Sequence, residues 1–246
     1  MDGGDFGLPE RSIYANFVST IDGVVAIPAL RRSNRLIGDD SEPDRFVTGL
    51  LRAFADVVLV GWGTLRGSPN ARWQAQGAFP PAASSFAELR RLLGRAGEPE
   101  VAIVTGSGSI DTAHPALREG ALVLTRARGA ATLEGQLADA SQLVVLPGSD
   151  RVDAQAVVDF LRSRGHERIL SEAGPTLFGS LASAGLVDEL FLTVSPLLAG
   201  RSALDINLGL VEGATFLPSR RLGGQLLSIR LRGSHLFLRY RLERTS

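Results

Sequence analysis

An α/β fold, with helices packed on a mostly parallel sheet and antiparallel strands at its C-terminal end, is predicted by three observations. Short apolar, β-branched runs that stop at glycine or a polar residue recur along the chain, as strands covered on both faces do. Between them lie stretches whose apolar residues repeat at helical spacing. Residues 222–242 instead alternate, most clearly at Leu236, Leu238 and Tyr240, around a turn near Gly233-Ser234.

Residues 12–18, Ser-Ile-Tyr-Ala-Asn-Phe-Val, read as the first strand, ended by Ser19-Thr20-Ile21-Asp22-Gly23. A polar loop is expected over 29–40. Pro43 at a first helical position, with Phe46, Val47, Leu50, Leu51 and Phe54 after it, predicts a helix to about Ala55. Val57-Val58-Leu59-Val60 is the strand behind that helix. Residues 67–81 are proline-rich and aperiodic, as suits a loop near a site. Ser85 and Glu88 have capping-box spacing ahead of Leu89, Leu92 and Leu93. Residues 101–105, 121–125 and 142–146 read as interior strands. Ala154, Val157, Val158 and Leu161 form a helical stripe closed by Gly165, and Arg168-Ile169-Leu170-Ser171 the strand behind it. Pro175 opens a helix with Leu177, Phe178 and Leu181 on one face, ended near Gly185. A strand over 187–195 and an irregular stretch over 196–213 precede the final hairpin. Residues 1–246 read as a single domain, with 1–11 a flexible N-terminal extension.

Composition narrows the function. Hydrophobic residues make up 44% and charged residues 21%, the balance of a soluble globular protein with a substantial core. Lys plus Arg and Asp plus Glu are both 26, so no basic field exists to hold a nucleic acid. The chain has no cysteine, which excludes thiolate metal ligands and a cysteine nucleophile. The first residues lack a basic, then apolar, leader, and no apolar run is long enough for a bilayer. A cytoplasmic protein with no membrane partner is the expectation.

Three segments place glycines and polar groups at the carboxyl ends of predicted strands, the edge where open α/β sheets bind ligands. In Gly61-Trp62-Gly63-Thr64-Leu65-Arg66, Gly61 and Gly63 permit close backbone approach, Thr64 offers a hydroxyl and Arg66 a cation suited to phosphate. The same segment also reads as ordinary turn punctuation. In Ser171-Glu172-Ala173-Gly174-Pro175-Thr176, a helix start favours an anion and Gly174 removes the side chain that would keep a diphosphate away; a plain strand-to-helix turn is the alternative. Glu172, at the end of an apolar strand, needs hydrogen-bond donors. Asp22 either caps its turn or serves as a ligand contact or proton donor. His114, His166 and His235 sit in polar or strand-edge contexts, read as surface histidines, and form no zinc site or Ser-His-Asp arrangement. Gly106-Ser107-Gly108-Ser109 lacks the ending of a phosphate loop but follows a strand and suits a ribose or 2′-phosphate.

Thr20-Ile21-Asp22-Gly23, the run from Leu51 through Val60 to Gly61-Trp62-Gly63-Thr64, and Glu172-Ala173-Gly174-Pro175-Thr176-Leu177 with Gly185-Leu186-Val187-Asp188-Glu189-Leu190, Pro196 and Gly200 occur in an informative order. In them the chain resembles the C-terminal reductase domain of the bifunctional riboflavin deaminase/reductase, a family with the dihydrofolate reductase-like fold. The resemblance spans nearly the whole chain. It implies a mixed sheet flanked by helices, a homodimer through the C-terminal strands, and NADPH across the sheet edge. By position, Val18, Thr64, Gly174, Pro175, Thr176, Leu177, Phe178, Gly179 and Ser180 would touch the cofactor. Arg52 and Glu172 would touch the substrate, and Asp22 belongs to the same site. The turn after Thr105 would reach the adenosine half, with Ser107 the phosphate contact, and the loop over 29–40 would contribute a hydroxyl such as Ser33. Family members that reduce a phosphoribosylamino uracil carry an Asp soon after the Gly-Thr loop and then an Arg. Here the stretch is Arg66-Gly67-Ser68-Pro69-Asn70-Ala71-Arg72, so the acid is missing and Arg72 stands for the Arg.

The implied reaction is hydride transfer from NADPH to a C=N or C=O carbon of a pyrimidine-linked ribose, without metal or flavin, with Asp22 and Glu172 as candidate acids. Two rivals remain at this level. One is a dihydrofolate-type or other pteridine reduction, for which Asp44, at the start of its helix, is a poor match. The other is an NADPH-binding protein without turnover.

Overall fold

The computed structural model describes residues 7–95, 97–148, 151–202 and 206–243. Strand β1 (Ser12–Ser19) turns into the short β2 (Val24–Ala26), and α1 (Ser33–Ile37) leads to α2 (Glu42–Phe54). β3 (Val57–Gly61) runs directly into α3 (Trp62–Gly67), after which α4 (Ala75–Ala78) and a 3-10 turn (Pro80–Ala82) lead to α5 (Ala83–Leu92). The next units are β4 (Glu100–Val104), α6 (Pro115–Glu119), β5 (Leu122–Thr125), α7 (Ala127–Leu133) and β6 (Gln142–Val145). α8 (Ala154–Ser163), β7 (Arg168–Ser171), α9 (Pro175–Ser183) and β8 (Glu189–Val194) follow, then β9 (Leu208–Gly209), β10 (Gly224–Arg232) and β11 (His235–Leu242).

Among the described residues nine strands form one sheet in the order β10-β11-β8-β1-β7-β3-β4-β5-β6, and β2 pairs with β9 apart from it. From β8 to β6 every pairing is parallel. β11 joins β8 antiparallel, and β10 folds back on β11. The predicted class therefore holds, including the antiparallel closing hairpin. Alternation along β1 sends Ile13, Ala15 and Phe17 into a core shared with α8 and α9, and Tyr14 into a second core shared with α2 and α6. The Tyr14 hydroxyl donates to the Leu51 carbonyl of α2 at 2.9 Å, which fixes that helix over the strand. Asp56 joins β3 to β7 by accepting from the N–H groups of Glu167 and Arg168 at 2.8 and 2.6 Å and from Arg95 at 2.7 Å.

Several expectations need correction. The polar loop over 29–40 contains α1, the glycine segment after β3 is the helix α3, and 67–81 contains α4. These helices, with α6 and α7, have seven residues or fewer, too few for a periodic pattern to show. α5 begins before the expected capping box and has no side-chain cap; Glu88 instead pairs with Arg91 at 2.6 Å. β4 and β5 are interior strands, whereas β6 ends the sheet and leaves Val145 55% exposed. The irregular stretch over 196–213 contains β9. Of the expected flexible extension, residues 1–6 lie outside the described residues, but Leu8 is buried and the Leu8 and Pro9 carbonyls accept from Arg168 at 3.1 and 3.2 Å. His114 is buried rather than superficial: it caps α6, accepting from the Ala116 N–H at 3.2 Å, and its ring stacks on Trp73. No helix among the described residues is long and apolar enough to cross a membrane.

Candidate active site

Because β8, β1, β7, β3 and β4 are parallel neighbours, their carboxyl ends share one edge, and the chain leaves that edge through the segments singled out above. α2 lies across it. Ser41 caps this helix by accepting from the Asp44 N–H at 3.3 Å. Asp44, Thr48 and Arg52 then recur four residues apart on one helical face. Each meets a polar partner from a different strand. Thr193 of β8 faces the Asp44 carboxyl and favours its charged form. Asn16 of β1 donates to the Thr48 hydroxyl at 3.2 Å. The Arg52 guanidinium donates Nε and Nη2 to the two carboxylate oxygens of Glu172, just beyond β7, at 2.7 Å each.

The last contact is a two-pronged ion pair whose side chains are each only 12% exposed. Such a pair is shorter and more directional than a single-point contact. The structure thus brings together Arg52 and Glu172, both expected at the substrate. It also adds Thr48 and Asn16, which sequence reasoning passed over, and Asp44, which it weighed only as a poor match for a pteridine. The available signal was the four-residue repeat of polar residues inside an otherwise apolar helix. A side chain on Gly38 would meet Val18 Cγ2 at 3.4 Å and Asp44 Oδ2 at 3.8 Å, so Val18 and Asp44 flank the same point of the edge.

Two segments converge at Gly174, two residues beyond Glu172 in the chain. Gly61, the residue before α3, lies with its ideal Cβ position 4.0 Å from the Gly174 nitrogen and from Leu177 Cδ2. A Cβ on Gly174 would come 3.4 Å from the Thr64 hydroxyl. The first bond inside α9 is Phe178 N–H to the Gly174 carbonyl at 3.1 Å, so the Thr176 and Leu177 N–H groups precede it and face outward with the helix dipole. Further along the edge, Thr105 accepts from the Gly108 N–H at 3.2 Å, and its carbonyl accepts from Thr125 at 2.6 Å. Gly108 has φ 74°, a conformation for which glycine is needed. Ser107 is exposed and accepts from the Ser109 N–H at 3.2 Å.

Other candidate residues stand elsewhere. Of the run 174–180, Phe178 is buried against Phe17, with ring centroids 5.0 Å apart, and Gly179 lies under the Glu212 carbonyl. A helix turns each successive residue by about 100°, so a continuous run cannot all face one ligand; Gly174, Thr176 and Ser180 remain outward. Arg72 forms an exposed ion pair with Glu119 of α6, because Trp73 beside it is buried and holds that loop against His114. Ser33 accepts from the Ile27 N–H at 3.2 Å and so braces the turn after β2. Arg66 stacks over Trp62 at 4.8 Å on the exposed face of α3. Among the described residues no three His, Asp or Glu side chains are grouped as metal ligands.

The Asp22 carboxylate is held within its own turn and the loop beside it. It accepts from the Thr20 hydroxyl and from the N–H groups of Ala199 and Gly200, the latter two at 3.1 and 2.7 Å. These bonds, led by Thr20, lower it to about 2, so it stays charged near neutrality. It clamps the loop over 197–200 to the end of β1. A depressed folded-state value means that the clamp's contribution is present above the ordinary aspartate range and lost as pH falls toward about 2. Asp22→Ala is expected to speed amide hydrogen exchange at Ala199 and Gly200 by about tenfold at neutral pH. Unaltered exchange at both would show that the clamp does not hold the loop.

The chain superposes on a pyrimidine reductase-like protein from Corynebacterium diphtheriae with a TM-score of 0.74 at 21% identity, covering 97% of this chain and 96% of that one. RibD of Acinetobacter baumannii matches with a TM-score of 0.69 at 16% identity, over 95% of this chain and 58% of that longer one. The likeness to these two structures shows the fold, a mixed α/β sheet flanked by helices. The chain belongs to the RibD C-terminal domain family, whose model matches residues 11–222. A curated relative from Archaeoglobus fulgidus, 25% identical across 85% of this chain and 90% of its own length, is a 2,5-diamino-6-ribosylamino-4(3H)-pyrimidinone 5′-phosphate reductase. The Methanothermobacter thermautotrophicus protein of the same name is 39% identical over 57 residues, 23% of this chain and 26% of its own. The chain is accordingly an oxidoreductase of the pyrimidine reductase type.

Proposed function

We propose that this chain is a single-domain, cytoplasmic, NADPH-dependent reductase. It reduces the ribose-derived C=N or C=O carbon of a phosphoribosylamino pyrimidine to a ribityl chain. One observation carries the reading: the segment Gly61–Thr64 meets Gly174, two residues beyond the Glu172 that Arg52 of α2 holds. A cofactor and a polar ring can therefore lie side by side on one strand edge. The glycines fit the cofactor, since a side chain at Gly174 would occupy the space beside the Thr64 hydroxyl. When bound, a reduced nicotinamide supplies the hydride.

The protein's part is placement. Thr176 and Leu177 N–H groups at the start of α9 face the diphosphate, and Thr64 orients the nucleotide beside Gly174. The turn after Thr105 takes the adenosine end, with Ser107 on a 2′-phosphate. The Arg52–Glu172 pair orders the substrate ring. β10 is an edge strand exposing Leu226, Ile229 and Leu231 at 46%, 51% and 69%. Such an unpaired apolar edge is covered most simply by a second copy, and we take the working enzyme to be a homodimer.

Fluorescence titration tests the cofactor. Trp62 is 43% exposed at the start of α3, within the nucleotide turn. NADPH is expected to quench it at micromolar concentration and NADH to bind at least about tenfold more weakly, one lost phosphate contact being worth that much. Thr64→Ala and Gly174→Val should weaken NADPH while melting like the parent. If neither nucleotide binds the parent protein, the reading fails.

A further inference from the structure

The segment between α3 and α4, residues 68–74, is held near both of its ends by one histidine. The His114 ring is 3% exposed and uses both nitrogens. Nδ1 accepts from the Ala116 N–H at 3.2 Å, so Nε2 carries the proton and donates to the Ser68 carbonyl at 2.9 Å. The ring face stacks on Trp73, with centroids 5.8 Å apart and 28° between the planes. Trp73 is buried in the core that holds Leu51, Leu65 and Leu117, and its φ is 54°. A bulky side chain rarely adopts that left-handed conformation, which persists only where the surroundings over-determine it.

The consequence lies one residue on. The Gln74 carbonyl accepts from Arg52 Nη1 at 3.2 Å. Arg52 is thus gripped from two directions: Nε–H and an Nη2–H go to Glu172, and an Nη1–H goes to the main chain at Gln74. A second N–H on each terminal nitrogen is left for a ligand. Held by Glu172 alone, the guanidinium is free to swing together with that carboxylate; a carbonyl fixed in the main chain stops the swing. Resting on the reductase reading above, we propose that His114 and Trp73 are positioning residues for the reaction. They set the path of residues 68–74 so that the Gln74 carbonyl locks the Arg52 guanidinium with its remaining N–H groups toward the substrate. Neither grip is needed to satisfy a buried partner. The Ser68 carbonyl also accepts from the Ala71 N–H at 3.0 Å, and Glu172 keeps Arg52 in either case.

His114→Asn separates the two jobs of the ring. Asparagine is a good helix cap and still accepts from the Ala116 N–H, but it gives Trp73 no ring and is too short to reach Ser68 as well. Guanidinium NMR of the ligand-free protein reads the first effect. The Arg52 Nη1 protons, assigned by their loss in Arg52→Lys, are expected to be resolved in the parent protein and averaged by rotation in His114→Asn, with the Nε–H signal unchanged. Calorimetric titration with 2,5-diamino-6-ribosylamino-4(3H)-pyrimidinone 5′-phosphate in the presence of NADP+ reads the second. His114→Asn should weaken binding about tenfold, yet add no loss in an Arg52→Lys background, since a residue acting through Arg52 has nothing left to act on there. NADPH quenching should be the same in His114→Asn and its parent. Trp73→Phe, which keeps a ring against His114, should match the parent protein, and Trp73→Leu should match His114→Asn. Resolved Nη1 signals in His114→Asn, an equal loss of binding in both Arg52 backgrounds, or a Trp73→Leu variant that behaves as the parent overturns the proposal. A parent protein that does not bind the phosphate ester, or binds it without reduction by NADPH, sinks the reductase reading instead, and the NMR signals still decide whether His114 acts on Arg52.

Discussion

Replacing Arg52 by alanine is expected to cost about 3–5 kcal/mol of stability and to abolish turnover, since it strands a mostly buried carboxylate without its partner. Glu172 receives both of its 2.7 Å bonds from that one guanidinium, and both side chains are only 12% exposed. For a domain of this size the loss corresponds to a melting point lower by roughly 10 °C. The informative companion is the double variant Arg52→Met with Glu172→Leu. Replacing a buried pair by apolar groups of similar volume is often nearly neutral, so most of the stability should return while activity does not. Denaturant unfolding of the single and double variants decides the matter. A single variant as stable as its parent would mean that water reaches Glu172 freely; an active double variant would remove the pair from the substrate site.

The second large effect belongs to Gly129, in α7. A side chain there would stand 2.1 Å from the Thr125 hydroxyl and 3.1 Å from both the Gly106 carbonyl and the Gly108 nitrogen. Those neighbours cannot give way easily: Thr125 is bonded to the Thr105 carbonyl, and a side chain at Gly108 would itself meet the Gly129 carbonyl at 2.3 Å. Gly129→Ala is therefore expected to cost about 1–3 kcal/mol, as overpacking does, and to weaken NADPH at least about tenfold by displacing the turn after β4. Gly77→Ala, in α4 with nothing within 4 Å of its Cβ, serves as the control and should leave both quantities unchanged. Equal NADPH affinity in Gly129→Ala and its parent would detach that turn from the adenosine end.

Much of the frame was legible from local pattern. Val57–Gly61 and Arg168–Ser171 are fully apolar or buried runs because each is covered on both faces. α2, α8 and α9 announced themselves by apolar spacing, with Pro43 and Pro175 in their first turns. The short helices were not legible, since five residues make little more than one turn. The site was legible only as a set of separate segments. Thr64 and Gly174 each looked like a turn residue, and nothing local said that they would meet.

Asp44 shows the limit most clearly. At the first turn of a helix it looks like a residue complementing the helix dipole. What its place in the chain does not show is that Thr193 on β8, His235 on β11 and Glu172 beyond β7 gather around it, none of them near it in sequence. Asp22 illustrates the converse, because a carboxylate before a glycine at a strand end reads equally as a turn cap or a ligand contact, and only the structure brings the Ala199 and Gly200 N–H groups to it.

By itself the amino-acid order determined the α/β class, the succession of strands and long helices, and the glycine and hydroxyl residues brought to strand ends. Hydrophobic periodicity and capping act over a few residues, so they can be read along the chain. Only the tertiary structure decided that β7 lies between β1 and β3, and that Arg52 closes on Glu172 across 120 residues. Strand order and ion pairing depend on which distant surfaces are buried together, and that is settled by packing over the whole sheet rather than by any local preference.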